Sequence, residues 1–469
     1  MSPNAESKEI ENIPGLEKVD PVKVEKYEKL TNPLKLNDET MLKIRKIFED
    51  EMDLGLQVNP KGCLQMANTY IPQLPDGSEE GEYLALDLGG TNFRVLLLKL
   101  EHGKMADPIV KHFHVREDIR LGKGEAMFDF LASCIHQFLE SNNMLSRKLP
   151  LGFTFSFPMY QKSLSCAHLV SWTKSFNCEG VVDQDVVKML NDAIHRRGDL
   201  QVEVAAILND TTGTLINGAY LDGTCSIGLI LGTGSNACYL EKVERVKNWE
   251  GEKPSDIKEV IIDIEDGAFG DNGVIDFIKT EYDREVDNKS LLVNSFTFEK
   301  YFAGQYIGDI VRVILVKLAQ EGIIFGGKLS TKLLTHQCFN ASLLSSVEQD
   351  SIQMTTTNCR KICQDLDLEY DDEDIAILKH ICYIVSDRAA KLVSITLASL
   401  LDRMDKPGLV TIAIDGSLYK HHPRLDALLK KYIAKFAPNR QFCLMLAEDG
   451  SGKGAGLTAA IAQRLRKSN

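Results

Sequence analysis

One arrangement occurs twice in this sequence, and few architectures accept it. Leu84 to Leu88 is a short apolar run that reads as a buried strand. It breaks at Gly89-Gly90, and a second apolar strand, Phe93 to Leu98, follows at once. Much later Ile227 to Leu231 meets Gly232-Thr233-Gly234-Ser235-Asn236 and gives way to another strand, Ala237 to Leu240. Each unit predicts a hairpin whose tip lacks side-chain bulk, so that backbone N–H groups can gather around an anion. Thr91 and Asn92 add polar contacts, and Asp87 at the end of its strand is placed to hold a metal ion or its water shell. The Rossmann fingerprint and the P-loop both require a helix directly after the glycines, whereas a strand follows here. One such hairpin is as readily an ordinary turn. A second that reads as a degenerate duplicate of the first predicts two facing halves clamping a nucleotide tail.

The remaining chain alternates strands with helices, which predicts α/β layers. Leu151 to Phe157 alternates like a strand and stops at Pro158; Val202 to Leu208 runs into Asn209-Asp210. Val410 to Asp415 runs into Gly416-Ser417, and Phe442 to Leu446 leads through Glu448 to Ala455 into a C-terminal helix. That last junction is no P-loop, since Ala447 stands where the first glycine should be and Gly454 replaces the Ser/Thr. Helices are expected at 22–30, 37–56 (capped by Asn37), 122–143, 214–220, 273–281, 297–320, 375–401 and 424–436. The first 20 residues are polar and acidic without an apolar core, so a disordered tail and no signal peptide are expected.

With 469 residues the chain has length for about three domain-sized units. A net charge of -13 argues against nucleic acid or an anionic membrane as main partner, so an anionic substrate must be held by a local site. No run is long enough for a membrane anchor. Eleven scattered cysteines, odd in number and without a C-x-x-C pair, suggest reduced core thiols and a cytoplasmic protein.

Asp210, at the carboxyl end of a strand, is the leading catalytic candidate: a carboxylate there can accept a hydroxyl proton as that oxygen attacks a phosphoryl group. The alternative is an aspartate that merely caps the next helix. Lys174 is a candidate cation near transferred phosphate, or a solvated lysine; Glu265 and Glu299 suit sugar hydroxyls, or surface ion pairs. No His/Cys spacing suggests zinc, and no protein-bound metal site is assigned.

Together, Leu86-Asp-Leu-Gly-Gly-Thr-Asn-Phe-Arg94, Gly152-Phe-Thr-Phe-Ser-Phe-Pro158, Trp172-Thr-Lys174, Asn209-Asp-Thr211, Gly232-Thr-Gly-Ser-Asn-Ala-Cys-Tyr239, Gly267-Ala-Phe-Gly-Asp271, Asp415-Gly-Ser417 and Asp449-Gly-Ser-Gly-Lys-Gly454 closely resemble the eukaryotic hexokinase/glucokinase family. They stand in family order and span roughly residues 25 to 466. The resemblance implies an α/β fold of two actin-like (ribonuclease H-like) lobes around a deep cleft. The large lobe would be 21–81 and 221–450, the small lobe 82–220 and 451–469. It implies a hexose kinase using ATP and Mg2+ on glucose, fructose or mannose, with Asp210 as general base and Lys174 facing the transferred phosphate. Ser156, Phe157, Thr173, Lys174, Asn209, Asp210, Asn236, Glu265 and Glu299 would surround the sugar. Asp87, Leu88, Gly89, Gly90, Thr91, Asn92, Thr233, Asp415, Gly416, Ser417, Ser451, Gly452, Lys453, Gly454 and Ala455 would hold Mg-ATP. Four positions depart from the family: Asp266 replaces a usual Trp, Phe296 a usual Gln, Ala341 lies in a changed nucleotide segment, and Ser165 stands for a common Asp. A sugar-binding sensor of low turnover, and an actin- or chaperone-like ATPase, are the competing expectations.

Overall fold

In this computed structural model residues 13–89, 92–251, 253 and 257–468 are described. Gly90 and Thr91, at the tip of the first hairpin, and residues 1–12 of the expected tail lie outside them, as does the side chain of Asn92. Within the stretch expected to be a tail, Val19 is buried, and Asp20 caps the helix Pro21–Thr31.

Two six-stranded sheets share one pattern. The first runs Lys104–Met105, Asn92–Glu101, Gly81–Leu88, Leu149–Phe155, Val202–Leu208, with Ile109–His114 also pairing to Asn92–Glu101. The second runs Ala67–Asn68, Glu259–Asp263, Ser235–Lys242, Cys225–Leu231, Leu409–Asp415, Gln441–Leu446. In each, a glycine-tipped antiparallel hairpin is extended on one side by two parallel strands. The duplication read from the glycine turns is thus a duplication of whole sheets.

Strand alternation divides the first sheet between two cores. Leu84, Leu86 and Leu88 face a cluster with Leu131, Ile135 and Phe138 of the helix Gly124–Ser141, whereas Tyr83 and Ala85 face the other way, toward the larger core. On that side lies the terminal helix Gly450–Ser468, wedged between the sheet and the helix Asp210–Leu221. Two glycines make the wedge possible. A Cβ on Gly152 would sit 1.9 Å from the Ala455 carbonyl oxygen, and one on Gly454 would sit 2.1 Å from that of Gly213. The larger core centres on the helix Asp372–Met404, opened by a capping box between Asp371 and Asp374. Among the described residues no helix is long and apolar enough to cross a membrane.

Two helix expectations fail. Residues 273–280 form turns and the short 3-10 segment Asp276–Ile278, and a helix, Glu281–Asn288, begins only at the Thr280–Asp283 capping box. Gly273 at φ +83° breaks the expected helix at its start. Likewise the helix expected from 297 begins at Ile307, because Gly304 donates to the Gly232 carbonyl at 2.8 Å and pins this segment to the second hairpin.

Candidate active site

Between the sheets opens a cavity of about 750 Å3 to which both glycine hairpins contribute. The strand Val202–Leu208 ends at Asn209, whose side chain caps the next helix by accepting the Thr211 N–H at 2.9 Å. Asp210 is therefore the first helical residue, not its cap, and it lines the cavity. Its Oδ1 accepts the Thr211 N–H at 2.9 Å, and its Oδ2 lies 3.6 Å from the Lys174 ammonium. Lys174 hangs from a loop in which it and Ser175 both hold positive φ, 54° and 63°. Glu265 and Phe296 on the opposite wall are also left-handed, at 55° each. Non-glycine residues held there store local strain, and such residues gather at functional sites.

The floor is a mesh of carboxylates and amides. Asn236 donates to Asp263 at 2.8 Å and accepts the Glu265 N–H at 3.0 Å; Asn209 donates to Glu265 at 3.3 Å. Burial, then the nearby charges of Asp263 and Asp210, pushes the Glu265 carboxyl well above its ordinary value. Burial raises Glu299 to about 7 against the stabilising 3.0 Å hydrogen bond from the Ser235 N–H. The Ser156 and Ser235 hydroxyls, both buried, have no hydrogen-bond partner among the described residues. A polyol satisfies such a surface: ionised and neutral carboxyls, amides and free hydroxyls can each pair with a sugar hydroxyl.

Of the residues expected around a sugar, Ser156, Phe157, Thr173, Lys174, Asn209, Asp210, Asn236, Glu265 and Glu299 all line this cavity. Of those expected around a nucleotide, Gly89, Thr233, Asp415, Gly416, Ser417 and Ser451 line it. A neighbouring cavity of about 700 Å3 shares Thr233 and Ser417, and its wall includes Phe339, Asn340, Ala341 and Ser342. Asp87 and Leu88 are buried at the end of the first hairpin strand. Gly90 and Thr91 lie outside the described residues. Gly452, Lys453, Gly454 and Ala455 line neither cavity: they continue the helix begun at Gly450, with Gly454 and Ala455 packed against the backbone of Gly213 and Gly152.

Sequence reasoning missed the Arg94 network. Arg94, one turn of hairpin from Asp87, donates to it at 3.0 Å through Nε and again through a closer Nη contact, and reaches Asp449 at 2.9 Å. Ser451 donates to Asp87 at 2.9 Å, and the Gly450 N–H donates to Asp415 at 3.2 Å, so the terminal helix is tied to the first hairpin and to the parallel strand Leu409–Asp415 of the second sheet. Arg94 ends the Gly-Gly-Thr-Asn-Phe-Arg motif, which was the available signal. Asp263 was also missed; its signal was its place two residues before Glu265.

Asp266 supplies a test of the electrostatics. It is 2% exposed, its Oδ1 has no partner among the described residues, and burial followed by Glu299 pushes its carboxyl up to about 7. The folded chain then keeps a proton here that the unfolded chain, near the ordinary aspartate value of 3.8, releases. Its contribution to stability is full below about pH 4 and is lost as pH rises toward 7. Asp266→Asn should abolish that slope and stabilise the protein at pH 8 by about 2–4 kcal/mol. Melting curves from pH 4 to 8 that run parallel for the variant and the parent would refute it.

Comparison with known proteins agrees with this geometry. Family models described as hexokinase match residues 26–220 and 226–461. Human hexokinase-1 is 40% identical over 451 residues, covering 94% of this chain and 48% of that protein. Human hexokinase-2 is 41% identical over 453 residues, with the same coverage of 94% and 48%. The chain thus spans about half the length of the curated relatives it matches. The structure of hexokinase from Schistosoma mansoni complexed with glucose superposes with a TM-score of 0.85 at 37% identity, covering 94% of this chain and 99% of that one. Two sheets of one topology, a carboxylate-floored cleft between them, and matches over both halves lead to one conclusion: this chain belongs to the hexokinase family.

Proposed function

We propose that the chain transfers the γ-phosphoryl group of ATP to the 6-hydroxyl of a hexose, glucose or a relative such as fructose or mannose. The observation that carries this reading is the Asp210–Lys174 pair, 3.6 Å apart at the head of a helix and facing the cleft. Asp210 takes the hydroxyl proton as the sugar oxygen bonds to the γ-phosphorus and ADP leaves; Lys174 balances charge on the transferred oxygens. Ser156, Asn209, Asn236, Glu265 and Glu299 hold the other hydroxyls, and Thr173 and Phe157 shape the wall. The nucleotide lies across Thr233, Asp415, Gly416, Ser417 and Ser451 into the neighbouring cavity.

Asp87 and Asp415 fit a hard, oxygen-preferring ion: Asp415 is half-buried beside Ser417, and the Asp87 Oδ1 lies 3.7 Å from where a Gly89 Cβ would stand. Such an ion would be Mg2+, carried in on a nucleotide and held through its water shell. Bound there, Mg2+ would neutralise charge on the phosphates. We assign 21–81 and 221–450 to the large lobe and 82–220 with 451–469 to the small one. The eleven free cysteines support a cytoplasmic setting. A coupled assay for hexose 6-phosphate with ATP, Mg2+ and glucose tests the function; no product above a no-enzyme control would sink it.

Phe296 favours a second reading, a sugar binder of low affinity. Asp271 accepts its N–H at 2.9 Å and so fixes the backbone, while the ring lines the cleft, its Cδ1 lying 3.5 Å from where a Gly267 Cβ would stand. A phenyl ring offers a sugar hydroxyl no partner. Restoring one with Phe296→Gln should lower the glucose KM about 5-fold or more with little change in kcat. An unaltered KM would show that the ring costs the sugar nothing.

A further inference from the structure

Lys174 reaches Asp210 from a short loop held in an unfavourable shape. Trp172 and Phe176 anchor its two ends in an aromatic cluster: their rings stack at 5.6 Å, and each meets Phe157 edge to face, at 4.9 Å and 5.1 Å. Between these anchors Thr173, Lys174 and Ser175 line the reaction cleft, with Lys174 and Ser175 left-handed at φ 54° and 63°. Each such residue costs about tenfold in population, so two in succession need an external hold.

Arg120 supplies it. It ends the helix Glu117–Arg120, and its Nη1 donates to the Ser175 carbonyl and to the Ser175 hydroxyl, at 2.8 Å each. That hydroxyl donates onward to the Lys174 carbonyl at 2.6 Å, so one guanidinium fixes the peptides on both sides of Ser175. Both bonds from Arg120 are charge-assisted, roughly twice as strong as neutral ones. The guanidinium carbon also lies 6.0 Å from the centre of the Phe176 ring. Backbone bonds keep the two segments side by side: the Asn177 N–H donates to the Arg120 carbonyl at 2.9 Å, and the Glu179 N–H to that of Gly122 at 2.9 Å. Among the described residues no carboxylate pairs with Arg120, and its side chain has no hydrogen-bond partner but Ser175; its Nε is buried without one. In a chain of net charge -13, an arginine directed at one neutral loop and at no carboxylate points to a task at that loop.

We propose that Arg120 is a positioning residue for the phosphoryl transfer put forward above. It holds Ser175 and the Lys174 peptide in their left-handed conformations, and so sets the Lys174 ammonium 3.6 Å from Asp210. Its kinetic consequence rests on that reading of the cleft, whereas the hold on the loop is a property of the fold. A specific suppressor follows. Glycine takes a left-handed φ without a Cβ penalty, so Ser175→Gly should lessen the need for Arg120.

The test combines kinetics, glucose calorimetry and amide hydrogen exchange on the full chain. Arg120→Met keeps the aliphatic stem over Phe176 and removes the donors; should it fail to fold, Arg120→Gln is measured in the same way. Loss of the donors should reduce kcat about tenfold or more while the glucose dissociation constant moves less than about threefold. Exchange at the Phe176 and Asn177 amides, which donate to the Thr173 and Arg120 carbonyls, should quicken about tenfold. Introduced into Ser175→Gly, the same change should cost less than about threefold in kcat relative to Ser175→Gly alone. An arginine that only supported its own helix would give equal losses in both backgrounds. Unchanged loop exchange, a kcat within about twofold of the parent, or equal losses in both backgrounds would each overturn the assignment. If the parent itself forms no hexose 6-phosphate, the activity put forward above fails, and the exchange rates alone decide whether Arg120 holds the loop.

Discussion

Asp210→Asn should leave hexose binding nearly intact and reduce kcat by at least about 10²–10⁴-fold, the range that general-base catalysis contributes. The amide oxygen can keep the 2.9 Å contact to the Thr211 N–H, so the turn into the helix survives. What replaces Oδ2 is an NH2 group, 3.6 Å from the Lys174 ammonium where a carboxylate had been. It cannot take a proton, and it no longer offsets the lysine's charge. Glucose titration and steady-state kinetics on the same preparation separate the two consequences. A near-parental kcat would reduce Asp210 to a first-turn residue that favours the helix electrostatically.

Gly454→Ala should destabilise the whole molecule by about 3 kcal/mol or more, well above the helix propensity that alanine adds. The new methyl would stand 2.1 Å from the Gly213 carbonyl oxygen and 2.4 Å from its Cα, both rigid backbone. Either the terminal helix shifts outward or the helix Asp210–Leu221 gives way, carrying Asp210 with it. Gly452→Ala is the internal control: its methyl would meet the Leu96 side chain at 3.1 Å, which can rotate aside. Thermal melts of both should show a drop of roughly 5 °C or more for Gly454→Ala alone. A parental melting temperature with weakened nucleotide binding would restore the Mg-ATP-holding role that the family resemblance implied for this glycine.

The glycines show where sequence reading succeeds and where it stops. Gly89 and Gly232 interrupt apolar runs, and an interrupted strand period is a local signal. Gly152 and Gly454 look similar in sequence, yet one lies within the strand Leu149–Phe155 and the other inside a helix. Their purpose is close approach of segments remote in the chain, Gly152 to Ala455 and Gly454 to Gly213, and no local pattern encodes that. The false helix at 297–306 fails for the same reason: apolar spacing was helical, but Gly304 is bound to the second hairpin.

By itself the sequence determined the α/β class, the paired hairpins and the strand-end position of Asp210, because strand period, glycine turns and caps act over a few residues; the residues expected to share the cleft came from the resemblance to a family. Only the tertiary structure decided that the two hairpins belong to matching sheets, that Arg94 and Ser451 bind Asp87, that Glu265, Asp266 and Glu299 are driven toward their neutral forms, and that the Phe296 ring lines the cleft. Those facts follow from burial and from the distances between segments remote in the chain. Desolvation and Coulomb energies depend on that spatial environment and not on neighbours in sequence.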